Sequence, residues 1–131
     1  MKRIEILALT VVIMIVAGTP ALAFWYRGTE TAAREARGEH LIIARTVENG
    51  GYQPARIVVK KGQRVKLRLT SWDVTHGFQL LDFGIQEMGI TPGSFKEYEF
   101  VADRVGTFPF YCISKCSPLH QTMQGEVVVE P

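Results

Sequence analysis

The spacing of apolar residues along the chain changes character once, near residue 40. Before that point, Ile6 to Tyr26 carries no charged residue, and the run approaches the ~20 apolar residues that a bilayer-spanning helix requires. Trp25 and Tyr26 close it where an interfacial aromatic belt would lie, and Lys2 and Arg3 precede it. This arrangement predicts a membrane anchor over residues 1–27 with the rest of the chain on the far side of the membrane. A cleaved signal peptide fits the same stretch, with Ala21-Leu22-Ala23 as a small-x-small cleavage site. Both readings export the remainder of the chain. Residues 28–39 are rich in Ala, Arg and Glu and lack an apolar stripe, so they read as a linker with solvated charges.

From His40 onward the period becomes two, with short β-branched runs separated by Gly, Pro and Asn. Candidate strands are 41–47, 55–59, 64–70, 77–81, 95–101, 106–111 and 125–130. In Val65-Lys66-Leu67-Arg68-Leu69 the apolar positions face a core and the cations face water. Lys60-Lys61-Gly62-Gln63 reads as the turn before that strand, and Thr91-Pro92-Gly93-Ser94 as a type II turn. No helical period or internal repeat occurs beyond residue 40. Residues 40–131 are therefore predicted to be one all-β domain, a two-sheet sandwich with its functional loops gathered at one end. Trp72, Phe78, Phe108, Phe110 and Tyr111 are assigned to its core, as is Met88, and His40 to its solvated surface. Pro109 points to an edge position or a bulge in its strand.

Chemistry concentrates in one loop. Cys112, Cys116, His120 and Met123 lie within twelve residues, Cys112 to Met123 inclusive. Thiolate and thioether are soft ligands and imidazole is borderline, a set that suits copper; zinc is served less well because thioether is a poor zinc ligand. Cys116, His120 and Met123 could supply three of the four ligands of a blue-copper site, with His76, at the end of a candidate strand, as the fourth. Cys112 is then surplus, and a second thiolate so close to the first can bridge two metal ions. Asp73 stands where it could orient His76. The plain alternative for the two thiols is a disulfide, which at this spacing would close too short a loop to restrain the unfolded chain much.

Asp73-Val-Thr-His76 followed by Cys112-x3-Cys116-x3-His120-x2-Met123 resembles the CuA domain of cytochrome c oxidase subunit II, most nearly the short single-anchor subunit II of B-family oxidases. The similarity runs from about Gly50 to Glu130 and includes Gly51-Tyr-Gln-Pro54, Gly77-Phe78 and Gly125-Glu126. The resemblance implies a cupredoxin-like Greek-key sandwich or barrel behind one N-terminal transmembrane helix. It implies a binuclear copper cofactor bridged by Cys112 and Cys116, with His76 and His120 as terminal ligands and Met123 and the Ser114 backbone carbonyl as weak ones. It further implies an oxidoreductase component of the cell membrane, anchored by a single helix, with its copper domain on the periplasmic or extracellular side. That component would take electrons from cytochrome c or a similar small carrier and pass them to haem in subunit I, where oxygen reduction would occur. The sequence departs from the pattern at Ser114, where an acidic residue is common, at Ser117-Pro118, where Gly commonly succeeds the second Cys, and at Thr46 to Gly51, which lacks Trp.

Two other functions fit the same residues: a tethered single-copper carrier or copper-delivery protein that leaves Cys112 spare, and the CuA subunit of a nitric oxide or nitrous oxide reductase. The formal net charge is only +2. Cations alternate along strands and form no basic stripe, which excludes nucleic acid as a partner and predicts a partly apolar docking face.

Overall fold

A computed structural model describes residues 2–131, which form two units, an N-terminal helix and a compact domain over 37–131. Helix α1 (Arg3–Ala36) has no buried residue and is long and apolar enough to cross a membrane. It continues through the Ala-, Arg- and Glu-rich segment after Tyr26, where Tyr26 Oη meets Glu30 Oε1 at 3.0 Å.

The domain is a sandwich of two mixed sheets. One sheet has the order β2 (Tyr52–Gln53), β1 (Glu39–Ala44), β4 (Arg64–Ser71) and β7 (Lys96–Val101). The other has the order β3 (Arg56–Lys60), β9 (Gln124–Glu130), β8 (Gly106–Tyr111), β5 (His76–Leu80) and β6 (Ile85–Ile90). Pairing is parallel for β1 with β4 and for β3 with β9, and antiparallel elsewhere.

Alternation decides what is inside. In β4, Val65, Leu67, Leu69 and Ser71 are buried, and the intervening Lys66 and Arg68 reach Glu97 at 3.0 and 2.9 Å on the outer face. Such exposed pairs contribute at most about 1 kcal/mol each, so the sandwich rests on its core. Turns hold where predicted: Gln63 N–H donates to Lys60 O at 3.0 Å with Gly62 at φ 84, and Ser94 N–H donates to Thr91 O at 3.2 Å with Gly93 at φ 76. Both glycines occupy left-handed backbone that a side chain disfavours.

Aromatic rings fill the core in two groups. Phe83 packs on Phe100 and Phe108. Tyr52, Phe78 and Phe110 form the other group, with centroids 4.9–5.9 Å apart, and each ring is buried. Phe78 lies two residues beyond His76 and Phe110 two before Cys112, so this second group underlies the donor loop.

Several sequence assignments are corrected. Trp72 is 71% exposed, because inward parity in β4 falls on Ser71, and the Arg45 guanidinium lies 5.2 Å from its ring centroid. Met88 is 61% exposed on the edge strand β6, and Tyr111 also faces out. His40 is buried, since β1 turns its even-numbered residues inward alongside Ile42 and Ala44. Pro109 lies in a central strand, not at an edge; its β5 side carries a single registered pair, Gln79 with Tyr111, so little ladder is lost there. Strands β2 and β6 were not foreseen.

The fold sets an energetic contrast. Phe110→Ala is expected to lower the unfolding free energy by about 3–5 kcal/mol through cavity formation, and Lys66→Ala by less than about 1 kcal/mol. Urea denaturation followed by tryptophan fluorescence checks both, and similar losses for the two variants would contradict this account of the core.

Candidate metal centre

Four of the candidate side chains come from the gap between β8 and β9, and one from the start of β5. Cys112 follows β8 directly, Cys116 lies in mid-loop, His120 opens a single 3-10 turn (His120–Thr122), and Met123 ends that turn before β9. Cys112 N–H donates to Met123 O at 3.0 Å, which extends the β8–β9 ladder by one pair and closes the loop at its base. Within the loop, Ser117 O accepts from His120 N–H and Ser117 Oγ from Leu119 N–H, both at 3.2 Å. Pro118 has no N–H to place in this turn. Ser114 Oγ donates to Met88 O at 2.8 Å and ties the loop to β6.

β5 brings His76 to the loop by close backbone approach. Carrying the antiparallel register past Gln79↔Tyr111 sets Gly77 beside Ile113. A Cβ at Gly77 would lie 2.7 Å from Ile113 Cγ1 and 2.8 Å from Ser114 N, closer than real Cβ contacts allow. Only glycine fits.

The His76 ring, fully buried, is oriented by Asp73. Its Nε2 lies 2.7 Å from Asp73 Oδ1, and the same carboxylate accepts from Thr46 N–H and Val74 N–H at 2.8 Å each and from Asn49 Nδ2 at 3.3 Å. Burial opposes the charge on Asp73, yet the donors from His76, Thr46, Val74 and Asn49 hold its carboxyl well below the usual carboxylate range. An ionised carboxylate only accepts, so the proton sits on Nε2 and His76 Nδ1 is the nitrogen left for a ligand.

The donor atoms converge. Ligand atoms of His76, Cys112 and Cys116 lie within 4.8 Å of one another. The two sulfurs are 3.7 Å apart, Met123 Sδ is 3.9 Å from Cys116 Sγ, and Ser114 O is 3.2 Å from Cys112 Sγ. Both cysteines are free thiols, far beyond the ~2.05 Å of a disulfide bond. His120 stands outside the His76–Cys112–Cys116 group, but its Nδ1, like that of His76, is buried without a hydrogen-bond partner. The His76 nitrogen beside two thiols and a thioether, with a second unpartnered imidazole nitrogen on the same loop, makes a donor set with the softness copper prefers.

Charge is already distributed for a ligand. Burial alone would raise the Cys112 thiol, but the neighbouring His76 ring, donors on the Gly77 and Ser114 backbone and the Cys116 thiol bring its pKa below the ordinary thiol value. Cys116 moves the other way, raised by burial and then by its neighbour Cys112. For His76, burial works downward and is outweighed by Cys112 and Asp73, so the imidazole pKa ends above its usual value.

Four contributors were not singled out from sequence. Gly77 gives the close approach, Thr46 and Asn49 hold Asp73, and Tyr52 donates its phenol O–H to Gly77 O at 2.5 Å. A Gly directly after the candidate ligand, and an isolated Tyr between Gly51 and Pro54, were the available signals.

The cupredoxin-like domain family matches residues 11–129. Cytochrome c oxidase subunit 2 of Thermus thermophilus is 34% identical over 80 residues, covering 61% of this chain and 58% of that protein. Nitrous-oxide reductase of Stutzerimonas stutzeri is 38% identical over 77 residues, covering 56% of this chain and 12% of that protein. The chain thus spans less than two thirds of either relative. Among solved structures, the periplasmic domain of subunit II of cytochrome oxidase of Bradyrhizobium japonicum superposes with a TM-score of 0.52 at 32% identity, over 56% of this chain and 52% of that one. The mixed two-sheet sandwich, the donor loop between its last two strands and the match over residues 11–129 agree, and the chain belongs to the cupredoxin-like domain family.

Proposed function

We propose that this domain holds a thiolate-bridged pair of copper ions, a CuA centre, and is the subunit through which electrons enter a membrane-bound haem–copper oxidase. The observation that carries this reading is the pair of unbonded sulfurs, Cys112 and Cys116, 3.7 Å apart with the unpartnered Nδ1 of His76 in reach of both residues and a second unpartnered imidazole nitrogen, His120 Nδ1, on the same loop. Sulfurs at that separation lie closer than twice a metal–sulfur bond of about 2.3 Å, so both can bond one ion. Each keeps a further lone pair for a second. One thiolate suffices for a mononuclear site, and the second is accounted for only by the pair.

Cys112 and Cys116 would bridge, His76 and His120 would bind through Nδ1, and Met123 Sδ and Ser114 O would be the weak ligands. When bound, such a pair takes up and releases one electron with the charge change spread over both ions. The chain supplies the setting. Asp73 fixes the His76 ring, the buried Tyr52–Phe78–Phe110 group keeps water from beneath the loop, and the backbone of Gly77 and Ser114 favours negative sulfur. Helix α1 would anchor the domain on the periplasmic or extracellular side, with a cytochrome c or similar carrier as donor and haem in subunit I as acceptor. The identity to the Thermus oxidase subunit supports that assignment. A second reading, the same centre feeding a nitrous oxide reductase, is favoured by the 38% identity to that enzyme. Haem in a complex co-purified from the native membrane separates the two, because only the oxidase reading requires it.

Full-length chain in detergent, loaded with copper, is expected to bind two ions and to show an electron paramagnetic resonance hyperfine pattern from one electron shared by two copper nuclei. One ion with single-nucleus hyperfine structure would instead establish the single-copper carrier. Cys112→Ser is expected to reduce the metal content to one ion and Cys116→Ser to abolish stable binding; equal tolerance of both changes would refute either copper site. Asp73→Ala, which removes the acceptor that holds the His76 ring, is expected to weaken copper binding about 10–100-fold in competition with a chelator, and an unchanged affinity would remove Asp73 from the site.

A further inference from the structure

Tyr52 is placed unlike any other residue of its sheet. It belongs to β2, a two-residue strand at the edge of the four-stranded sheet, yet it is only 2% exposed. Its side chain crosses the core to the opposite sheet. There the ring stands edge-on to Phe78 of β5, with centroids 5.9 Å apart at 85°, and to Phe110 of β8, at 5.2 Å and 76°. The phenol O–H donates to Gly77 O at 2.5 Å. One side chain therefore touches both strands that carry ligands, at positions one or two residues from His76 and Cys112.

Gly77 is held from two sides. Tyr52 takes its carbonyl, and on the other side Ile113 and Ser114 leave no room for a Cβ. A shift of this residue toward or away from the loop would move His76 with it, since the two share a peptide bond. The phenol is buried and its one proton is committed to Gly77 O. The potential of a bound metal depends on how its ligands are oriented, so a group that fixes His76 against the Cys112 loop also fixes that potential.

We propose that Tyr52 is a positioning residue of the metal centre: its phenol O–H, donated to Gly77 O, fixes His76 against the Cys112 loop and thereby sets the reduction potential of the bound copper. This rests on the copper-pair reading above. Packing alone would require only an aromatic ring; the hydroxyl is what distinguishes the two roles.

The test is Tyr52→Phe, which keeps the ring and deletes one oxygen, in the full chain in detergent, compared with Val129→Ala, a core truncation in β9 at the Gly106 end of β8. Copper stoichiometry, hyperfine pattern, midpoint potential and the melting temperature of the metal-free protein are measured for each. For Tyr52→Phe the copper pair is expected to persist, and the one-electron reduction equilibrium to change about tenfold, a displacement of ~59 mV. Val129→Ala is expected to lower the melting temperature and leave the potential in place. A Tyr52→Phe protein that melts earlier but keeps potential and hyperfine pattern unchanged overturns the proposal while the copper pair stands. Wild-type protein that binds no copper pair overturns both. If Tyr52→Phe does not fold, 3-fluorotyrosine in place of Tyr52, a stronger donor of nearly the same shape, must displace the potential, and an unchanged value again overturns the proposal.

Discussion

Contact between β5 and the Cys112 loop at Gly77 governs the metal end of the sandwich, because it sets how far an imidazole on one strand lies from a thiol at the end of another. With a Cβ at Gly77 the strand would have to withdraw from Ile113 and Ser114, taking His76 away from Cys112. The single registered pair between β5 and β8 reflects the same constraint. A regular ladder would hold the strands at sheet spacing along their whole length. Here regular pairing stops and the loop folds back over β5, so backbone amides of Gly77 and Ser114 turn toward sulfur. Burial of His76, Cys112 and Met123 is then a consequence of closeness, with the aromatic group beneath completing the enclosure.

Electrostatics at this end depend on one carboxylate. Asp73 gathers donors from Thr46, Asn49, Val74 and His76, and so joins the short 3-10 turn after β1 to the strand that bears the ligand. Its role is orientation, since a buried imidazole free to rotate could present either nitrogen. Once Nε2 is engaged, the ring has one remaining nitrogen and one direction for it. The two thiols divide their behaviour for a related reason: negative charge is stabilised at Cys112 by surrounding donors, and that charge then opposes a second one at Cys116. A cation between the sulfurs removes the opposition.

Much of this was legible from sequence, and the misses share a physical cause. Strong alternation located β4, β-branched runs located β3 and β9, and an aromatic-rich run located β8. β6 escaped because only its terminal residues, Ile85 and Ile90, are buried, which leaves no alternation to read. The misplacement of Trp72 and His40 was avoidable. Residue size suggested a core position for Trp72, and polarity suggested solvent for His40, but strand parity sends Trp72 out behind Ser71 and brings His40 in with Ile42. Within a strand, parity outranks residue type, because a one-residue slip would turn every side chain of the strand to the wrong face.

The proposed ligands and their supports differ in how they can be found. Cys112, Cys116, His120 and Met123 announce themselves by residue type and spacing, because soft donors are uncommon and metal chemistry demands them. The groups that hold them in place are largely main-chain: Thr46 N–H and Val74 N–H on Asp73, Gly77 O on Tyr52, Met88 O on Ser114, Met123 O on Cys112 N–H. Every residue carries a carbonyl and nearly every one an N–H, so such supports leave no compositional trace. They become visible only when the fold fixes which backbone groups face one another. Ser114 accordingly leaves a carbonyl 3.2 Å from Cys112 Sγ whatever its side chain, since that oxygen belongs to the backbone.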